Sequence, residues 1–275
     1  MSDTKIVDLE LCGNQHSIDS EIRRRYSKLL RSTFENKSLW QHICEGTLSG
    51  STSYEGKLYR ESATRLMVVG RAMNGWEEDY SGCENVDDVT QKILDQDFQF
   101  SDIIKEDGIS CDGRKNYFYS RSNFWKLIHC VLQNYHEANH EWYDPTKNAN
   151  WNEKIVWSNL YEIAPRNSGN PEWKMIKPDM QNYIDIMKLK LVKYKPKRVL
   201  FVTDSNYFEP WKRQPSFAKE FGVMLTDRAE GYVVGVGSYN GIRMVVCKRP
   251  DVYGITGENI HQMAHEIMNA FGDTE

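Results

Sequence analysis

Short runs that are largely apolar predict the strands of a buried sheet. Three runs have this character: Leu66–Val69, Val156–Ile163 and Val199–Val202. Runs of this kind are typical of strands covered on both faces, which occur mainly in parallel sheets. A fourth apolar stretch, over residues 232–246, is divided at Asn240-Gly241. Because Asn-Gly favours a tight two-residue turn, this stretch predicts a hairpin.

Apolar residues at helical spacing predict helices between these strands. The helices are expected to begin at Ser122, near Pro178 and at Thr256, since Ser and Thr are good N-caps and Pro suits the first turn. A further helical pattern covers residues 17–45, and the polar region 77–120 is interpreted as a long insertion.

The order of these elements predicts one layered α/β domain over residues 65–275, preceded by a helical extension over residues 1–64. We expect a three-layer sandwich around a mostly parallel, four-stranded sheet, with a hairpin and a helix at its C-terminal end. Ligands of such sheets bind at the carboxyl ends of the strands. The turns expected to meet there lie around Asn74, Asn159, Asn206 and Arg249.

Composition narrows the class of protein. With 40% hydrophobic and 27% charged residues, the chain resembles ordinary globular proteins. Its formal net charge of -4 means that any contact with nucleic acid must come from a local basic patch. The six cysteines form no C-x-x-C pair, which argues against a zinc ribbon or an iron–sulfur site, and no cofactor is expected. No apolar signal or membrane segment is evident, so we expect a cytoplasmic protein without a membrane partner.

Four segments, taken in order, resemble one enzyme family. They are Gly70–Gly75 after the first strand, Phe124-Trp125-Lys126 at a helix start, Tyr194-Lys195-Pro196 before the third strand, and Arg249-Pro250-Asp251 after strand 242–247. Together they resemble the mismatch-specific and thymine-DNA glycosylase branch of the uracil-DNA glycosylase superfamily. The resemblance extends over residues 65–271 and implies that family's α/β fold.

The resemblance also implies an activity and a set of site residues. The family hydrolyses the N-glycosidic bond of a flipped-out base without a metal ion, so DNA or a nucleotide-like ligand is the expected partner. The residues implied as catalytic are Asn74 and Arg249. The residues implied as binding the base or substrate are Gly70, Arg71, Trp76, Asn159, Asn206, Tyr207, Pro250 and Asp251.

Two motifs depart from the family pattern. Where the family carries Asp or Asn to orient water, this chain has Ala72, and Asn74 is the nearest replacement. Asn74 begins an Asn-Gly step that is equally typical of a simple turn. Where the family has His or Asn before Pro, this chain has Arg249, which either stabilises an anion or pairs with an acid such as Asp251. Asn159 either reads a pyrimidine edge or makes a structural hydrogen bond.

Three functions therefore remain open at the level of sequence. The first is a DNA glycosylase-like hydrolase, and the second is a nucleic-acid or nucleotide-binding module of the same fold that has lost catalysis. The third is a zinc hydrolase, because His136-Glu137-Ala138-Asn139-His140 matches H-E-x-x-H. On a helical wheel both histidines fall away from the apolar stripe that begins at Phe124, which favours a solvent-facing helix end over a metal site.

Overall fold

The computed structural model describes residues 15–72, 79–96, 122–138, 150–166, 169–209, 215–226, 231–250 and 257–272. The chain divides into two compact units, each built from three segments. Unit 1 comprises Met1–Thr52, Ala72–Asp97 and Asn159–Lys195. Unit 2 comprises Ser53–Arg71, Phe98–Ser158 and Pro196–Glu275.

Strands and helices alternate along most of the described chain. The strands are β1 (Thr33–Phe34), β2 (Lys37–Ser38), β3 (Leu48–Gly50), β4 (Tyr54–Glu55), β5 (Leu66–Ala72), β6 (Val156–Tyr161), β7 (Ile163–Pro165), β8 (Arg198–Val202), β9 (Val223–Leu225), β10 (Val233–Tyr239) and β11 (Ile242–Cys247). The α-helices are α1 (Gln15–Leu30), α2 (Leu39–Cys44), α3 (Val86–Leu94), α4 (Asn123–Asn134), α5 (Trp173–Ile176), α6 (Met180–Tyr194), α7 (Ser205–Phe208), α8 (Phe217–Glu220) and α9 (Gly257–Phe271). None of the helices in the described ranges has the length and apolar character that a bilayer crossing requires.

The central sheet is mixed and has seven strands in the order β4-β6-β5-β8-β11-β10-β9. Its middle strands β5, β8 and β11 are parallel, whereas β10 and β9 continue it antiparallel. The α/β class predicted from the sequence is thus confirmed. The sheet is larger than the four strands expected, because β10 of the hairpin joins it and the short strands β4 and β9 extend it at both edges. The predicted hairpin is present, with Asn240 and Gly241 both at positive φ.

Helices α4 and α9 pack together over one face of the sheet in unit 2. Alternate strand residues such as Val68, Leu200 and Val245 point into this layer, as the two-residue period of a strand requires. The thiols of Cys130 and Cys247 lie in the same core. As predicted, the Ser122 hydroxyl caps α4 by accepting a hydrogen bond from the Trp125 N–H.

An aromatic row lies on the opposite side of β8. Phe201, whose neighbours in β8 face the α4–α9 layer, contacts Phe208 at a ring-centroid distance of 4.7 Å. Phe208 stacks on Phe217 at 5.8 Å, and Phe217 stacks on Phe221 at 6.0 Å. All of these phenylalanines are fully buried. The row therefore anchors the short helix α7 to the sheet and fixes the residues that precede Phe208.

In unit 1, α1 packs against α6 and α3. The helical pattern predicted over residues 17–45 is present as the two helices α1 and α2, but α1 ends at Leu30 and a small hairpin separates it from α2. Glu35 and Asn36, both at positive φ, form its turn, and α2 then begins at a capping box between Ser38 and Gln41. The region 77–120 was expected to be irregular, yet it contains α3, which is capped by the side chain of Asn85.

The strand predicted over residues 156–163 is divided at Glu162. β6 ends at Tyr161, and β7 pairs antiparallel with β3 in unit 1. The Glu162 carboxylate accepts a hydrogen bond from the Lys190 ammonium, and both side chains are almost completely buried. A buried glutamate requires such a partner, so this ion pair explains why an apolar run contains a charged residue. A second buried pair joins Arg25 of α1 to Asp185 of α6 at 2.5 Å.

Shortening a side chain of the unit 2 core should destabilise the protein. We expect Leu200→Ala to lower the free energy of unfolding by about 2–5 kcal/mol, because it leaves a cavity between the sheet and its helices. The measurement is urea denaturation followed by circular dichroism. Met224→Ala is the control, since Met224 is 73% exposed, and it should change stability by less than about 0.5 kcal/mol. Equal losses in both variants would contradict the described core.

Removing the charge of Glu162 should leave Lys190 buried without its counter-ion. We expect Glu162→Gln to cost about 3–5 kcal/mol at neutral pH. Burial, opposed by Glu162, lowers the pKa of Lys190 from 10.5, and the variant should lower it further. Between the lowered pKa and 10.5 the unfolded chain binds more protons, so stability should rise with pH in that window.

Denaturation curves at neutral pH and at about pH 10 would measure this rise. The matched control is Glu45→Gln, which removes the partner of the exposed Lys37. An exposed pair contributes about 0–1 kcal/mol, so the control should behave like the wild type at both pH values. A variant whose stability falls with pH over the same window would contradict the assignment.

Candidate functional site

Asp204 lies two residues after the end of β8, at the carboxyl edge of the parallel strands in unit 2. Its backbone N–H donates to the Cys247 carbonyl at 3.1 Å, which extends the β8–β11 pairing by one residue. Its backbone has φ 63° and ψ 161°, a conformation that glycine adopts readily and that costs other residues about 1–3 kcal/mol. Strain of this kind persists only where the surroundings enforce it, and it clusters at functional sites.

Arg71, near the end of β5, pairs with the Asp204 carboxylate through its Nη2. Its Nε also donates to the Thr203 carbonyl at 2.9 Å. The two side chains are only 10% and 6% exposed. The guanidinium is therefore held in one orientation by two acceptors, and its charge is compensated where little water reaches it.

Tyr207 completes one side of this cluster. The Arg71 Cζ lies 3.9 Å from the centre of the Tyr207 ring, within the range of a cation–π contact. The ring is partly exposed, whereas the next residue, Phe208, is fully buried in the aromatic row. Anchoring by Phe208 thus presents the Tyr207 ring at the surface of the edge. Asn206, in the same helical turn, is exposed.

Arg249 joins the cluster from the loop after β11. Its backbone N–H donates to Asp204 Oδ1 at 2.9 Å, and the residue is partly buried. Pro250, which follows it, is buried and stiffens the loop. The Asp204 carboxylate thus links the ends of β5, β8 and β11, which are three of the strand ends expected to meet.

No protein-family model and no curated protein matches this chain.

The sequence-predicted site residues fall into three groups. Arg71, Tyr207 and Arg249 are brought together at Asp204, and Gly70, Asn206 and Pro250 are their neighbours along the chain. Asn159 is 2% exposed in β6 and belongs to unit 1. Asn74, Trp76 and Asp251 lie outside the described residues. Ala72, at the end of β5, is partly exposed.

Asp204 itself was not among the predicted site residues. Its position in the sequence could have indicated it as a site residue. Asp204 is the second polar residue after the apolar run of β8 and therefore lies at the carboxyl edge of the sheet. What the sequence did not indicate is that its carboxylate faces Arg71 and the backbone of Arg249.

The H-E-x-x-H segment does not form the helix that a zinc hydrolase needs. Helix α4 ends at Asn134, His136 is left-handed with φ 57°, and residues 136–138 are not helical. The Glu137 carboxylate instead accepts hydrogen bonds from the N–H and hydroxyl of Thr64, at 2.7 and 2.9 Å. His140 lies outside the described residues. Among the residues that are described, no group of three or more His, Cys, Asp or Glu side chains is arranged to hold a metal ion.

These contacts predict a structural role for Glu137. We expect Glu137→Ala to lower the free energy of unfolding by about 1–3 kcal/mol, because it leaves the buried Thr64 donors without an acceptor. Glu61→Ala, which truncates an exposed carboxylate, should be nearly neutral. Urea denaturation of the two variants measures the difference, and a stable Glu137→Ala protein would contradict this role.

Proposed function

We propose that this chain is a DNA glycosylase-like protein with a three-layer fold of the uracil-DNA glycosylase type. In this proposal a flipped-out base lies at the carboxyl edge of β5, β8 and β11. The observation that supports it best is the cluster at that edge, in which Arg71 contacts both Asp204 and the Tyr207 ring and the Arg249 N–H donates to Asp204. The same loops carry the sequence resemblance.

The chemistry of base excision matches the types of residue in these loops. When the N-glycosidic bond breaks, the C1′–N electron pair leaves with the base, a water oxygen bonds to C1′, and the proton that the water loses ends on the base. Arg249 would donate to the departing base, whose negative charge a guanidinium stabilises better than a neutral group does. The partly exposed Tyr207 ring would stack on the base.

Local charge supports an anionic ligand although the whole chain is negative. Arg71 offsets the charge of Asp204, and Arg249, whose backbone N–H donates to the Asp204 carboxylate, would add one positive charge to this edge. Such a charge attracts a phosphate-bearing ligand over a distance of about 8–10 Å at ordinary ionic strength. In this proposal it is the local basic patch that a weakly acidic protein needs in order to bind nucleic acid.

A second candidate is a nucleic-acid or nucleotide-binding module that does not excise the base. Ala72 favours it, because a methyl group cannot orient water. Asp204 favours it as well, since its carboxylate is engaged by the Arg71 side chain and the Arg249 N–H and is not available as a general base.

One experiment distinguishes the two candidates. The purified protein is incubated with single- and double-stranded oligonucleotides that contain uracil, a thymine mismatch or a deaminated purine, and abasic sites are then cleaved with alkali. Strand scission supports the glycosylase. Salt-sensitive binding of the same oligonucleotides without scission supports the binding module, and the absence of both contradicts the proposed function.

Tyr207 and Arg249 should contribute to oligonucleotide binding or to base excision, whichever the preceding experiment detects. We expect Tyr207→Ala to weaken binding about 5- to 150-fold through lost stacking, and Arg249→Ala to weaken binding or excision by a similar factor. Fluorescence anisotropy and single-turnover scission measure the two effects. Lys37→Ala is the control, because it also removes one positive charge but pairs with Glu45 at an exposed site of unit 1. Wild-type values for Arg249→Ala would remove that residue from the site.

A further inference from the structure

We propose that Asp204 is a positioning residue for the ligand at this edge. Its carboxylate holds the Arg71 guanidinium against the Tyr207 ring and thereby fixes the surface on which a base or nucleotide stacks. This inference rests on the proposed function and names a residue that the sequence resemblance does not assign.

The side chain of Asp204 does not act as a helix cap. Asp204 occupies the N-cap position of α7, but its carboxylate makes no capping hydrogen bond to that helix. Among the described residues, the side chains of Asn85, Ser122 and Ser216 do cap their helices by accepting a backbone N–H. A capping role therefore does not explain an aspartate at position 204. Its contacts point instead to Arg71 and to the backbone of Arg249.

The backbone at this position supports the same conclusion. Its φ of 63° and ψ of 161° favour glycine, so a side chain is retained there against a conformational cost. The side chain that is retained compensates the charge of an arginine that is 10% exposed and holds it 3.9 Å from the centre of the Tyr207 ring. Because the guanidinium also donates to the Thr203 carbonyl, its orientation is set from two directions.

The two possible roles of Asp204, as a positioning residue or only as a negative charge, predict opposite changes in binding affinity when its charge is removed. If Asp204 acted only through its charge, replacing it by a neutral residue would make the edge more positive and strengthen the binding of a polyanion. If Asp204 positions Arg71, the same replacement weakens binding, because the guanidinium leaves the ring and its orientation becomes variable.

The test compares Asp204→Asn with the wild type, using a fluorescein-labelled single-stranded oligonucleotide at two salt concentrations. We expect binding to weaken about tenfold or more, with a folded protein by circular dichroism and thermal unfolding. The matched control is Glu209→Gln, which removes one negative charge at the other end of α7 without touching Arg71. It should bind as tightly as the wild type or slightly more tightly.

A second variant keeps the test decisive if Asp204→Asn does not fold. Arg71→Lys preserves the positive charge but loses the planar fork that spans Asp204 and Thr203, so it should also weaken binding about tenfold. Wild-type binding by Arg71→Lys, or equal or tighter binding by Asp204→Asn, overturns this inference and leaves the proposed function standing. Failure of the wild-type protein to bind any of the oligonucleotides overturns the proposed function as well.

Discussion

Parallel pairing of β5, β8 and β11 is the constraint on which the rest of unit 2 depends. Parallel neighbours must all leave the sheet at the same edge, so the residues that follow them meet whatever their separation in sequence. Arg71 and Asp204 are separated by 133 positions and yet form an ion pair. The buried layer under α4 and α9 stabilises the sheet. The carboxyl edge of the sheet carries polar residues and is therefore the part that is suited to bind a ligand.

The pattern of apolar positions was sufficient to predict most of this framework. Continuous apolar runs indicated β5 and β8, the Asn240-Gly241 step indicated the hairpin, and the helical stripe after Ser122 indicated α4. These features are local, since each depends on a few neighbouring residues and on burial of one face. The edge at which Arg71, Tyr207 and Arg249 meet was also predictable, because the parallel order determines it.

What the sequence did not predict depends on contacts between distant residues. Glu162 interrupts an apolar run, and its partner Lys190 lies 28 positions away, so the break between β6 and β7 has no local signal. The end of α1 is different, because the turn residues Glu35 and Asn36 were visible but were outweighed by the surrounding helical pattern. The H-E-x-x-H string is the opposite case, in which a local sequence match exists but the helix that a zinc site requires ends at Asn134.

The buried thiols of Cys130 and Cys247 report on the core layer that supports this edge in unit 2. Cys130 lies in α4 and Cys247 ends β11, and burial raises the pKa of both, that of Cys130 to about 11. Only the thiolate reacts readily with alkylating reagents, so both sulfurs are chemically silent while the layer is closed. Their rates of alkylation in the native protein therefore measure how often the helices separate from the sheet.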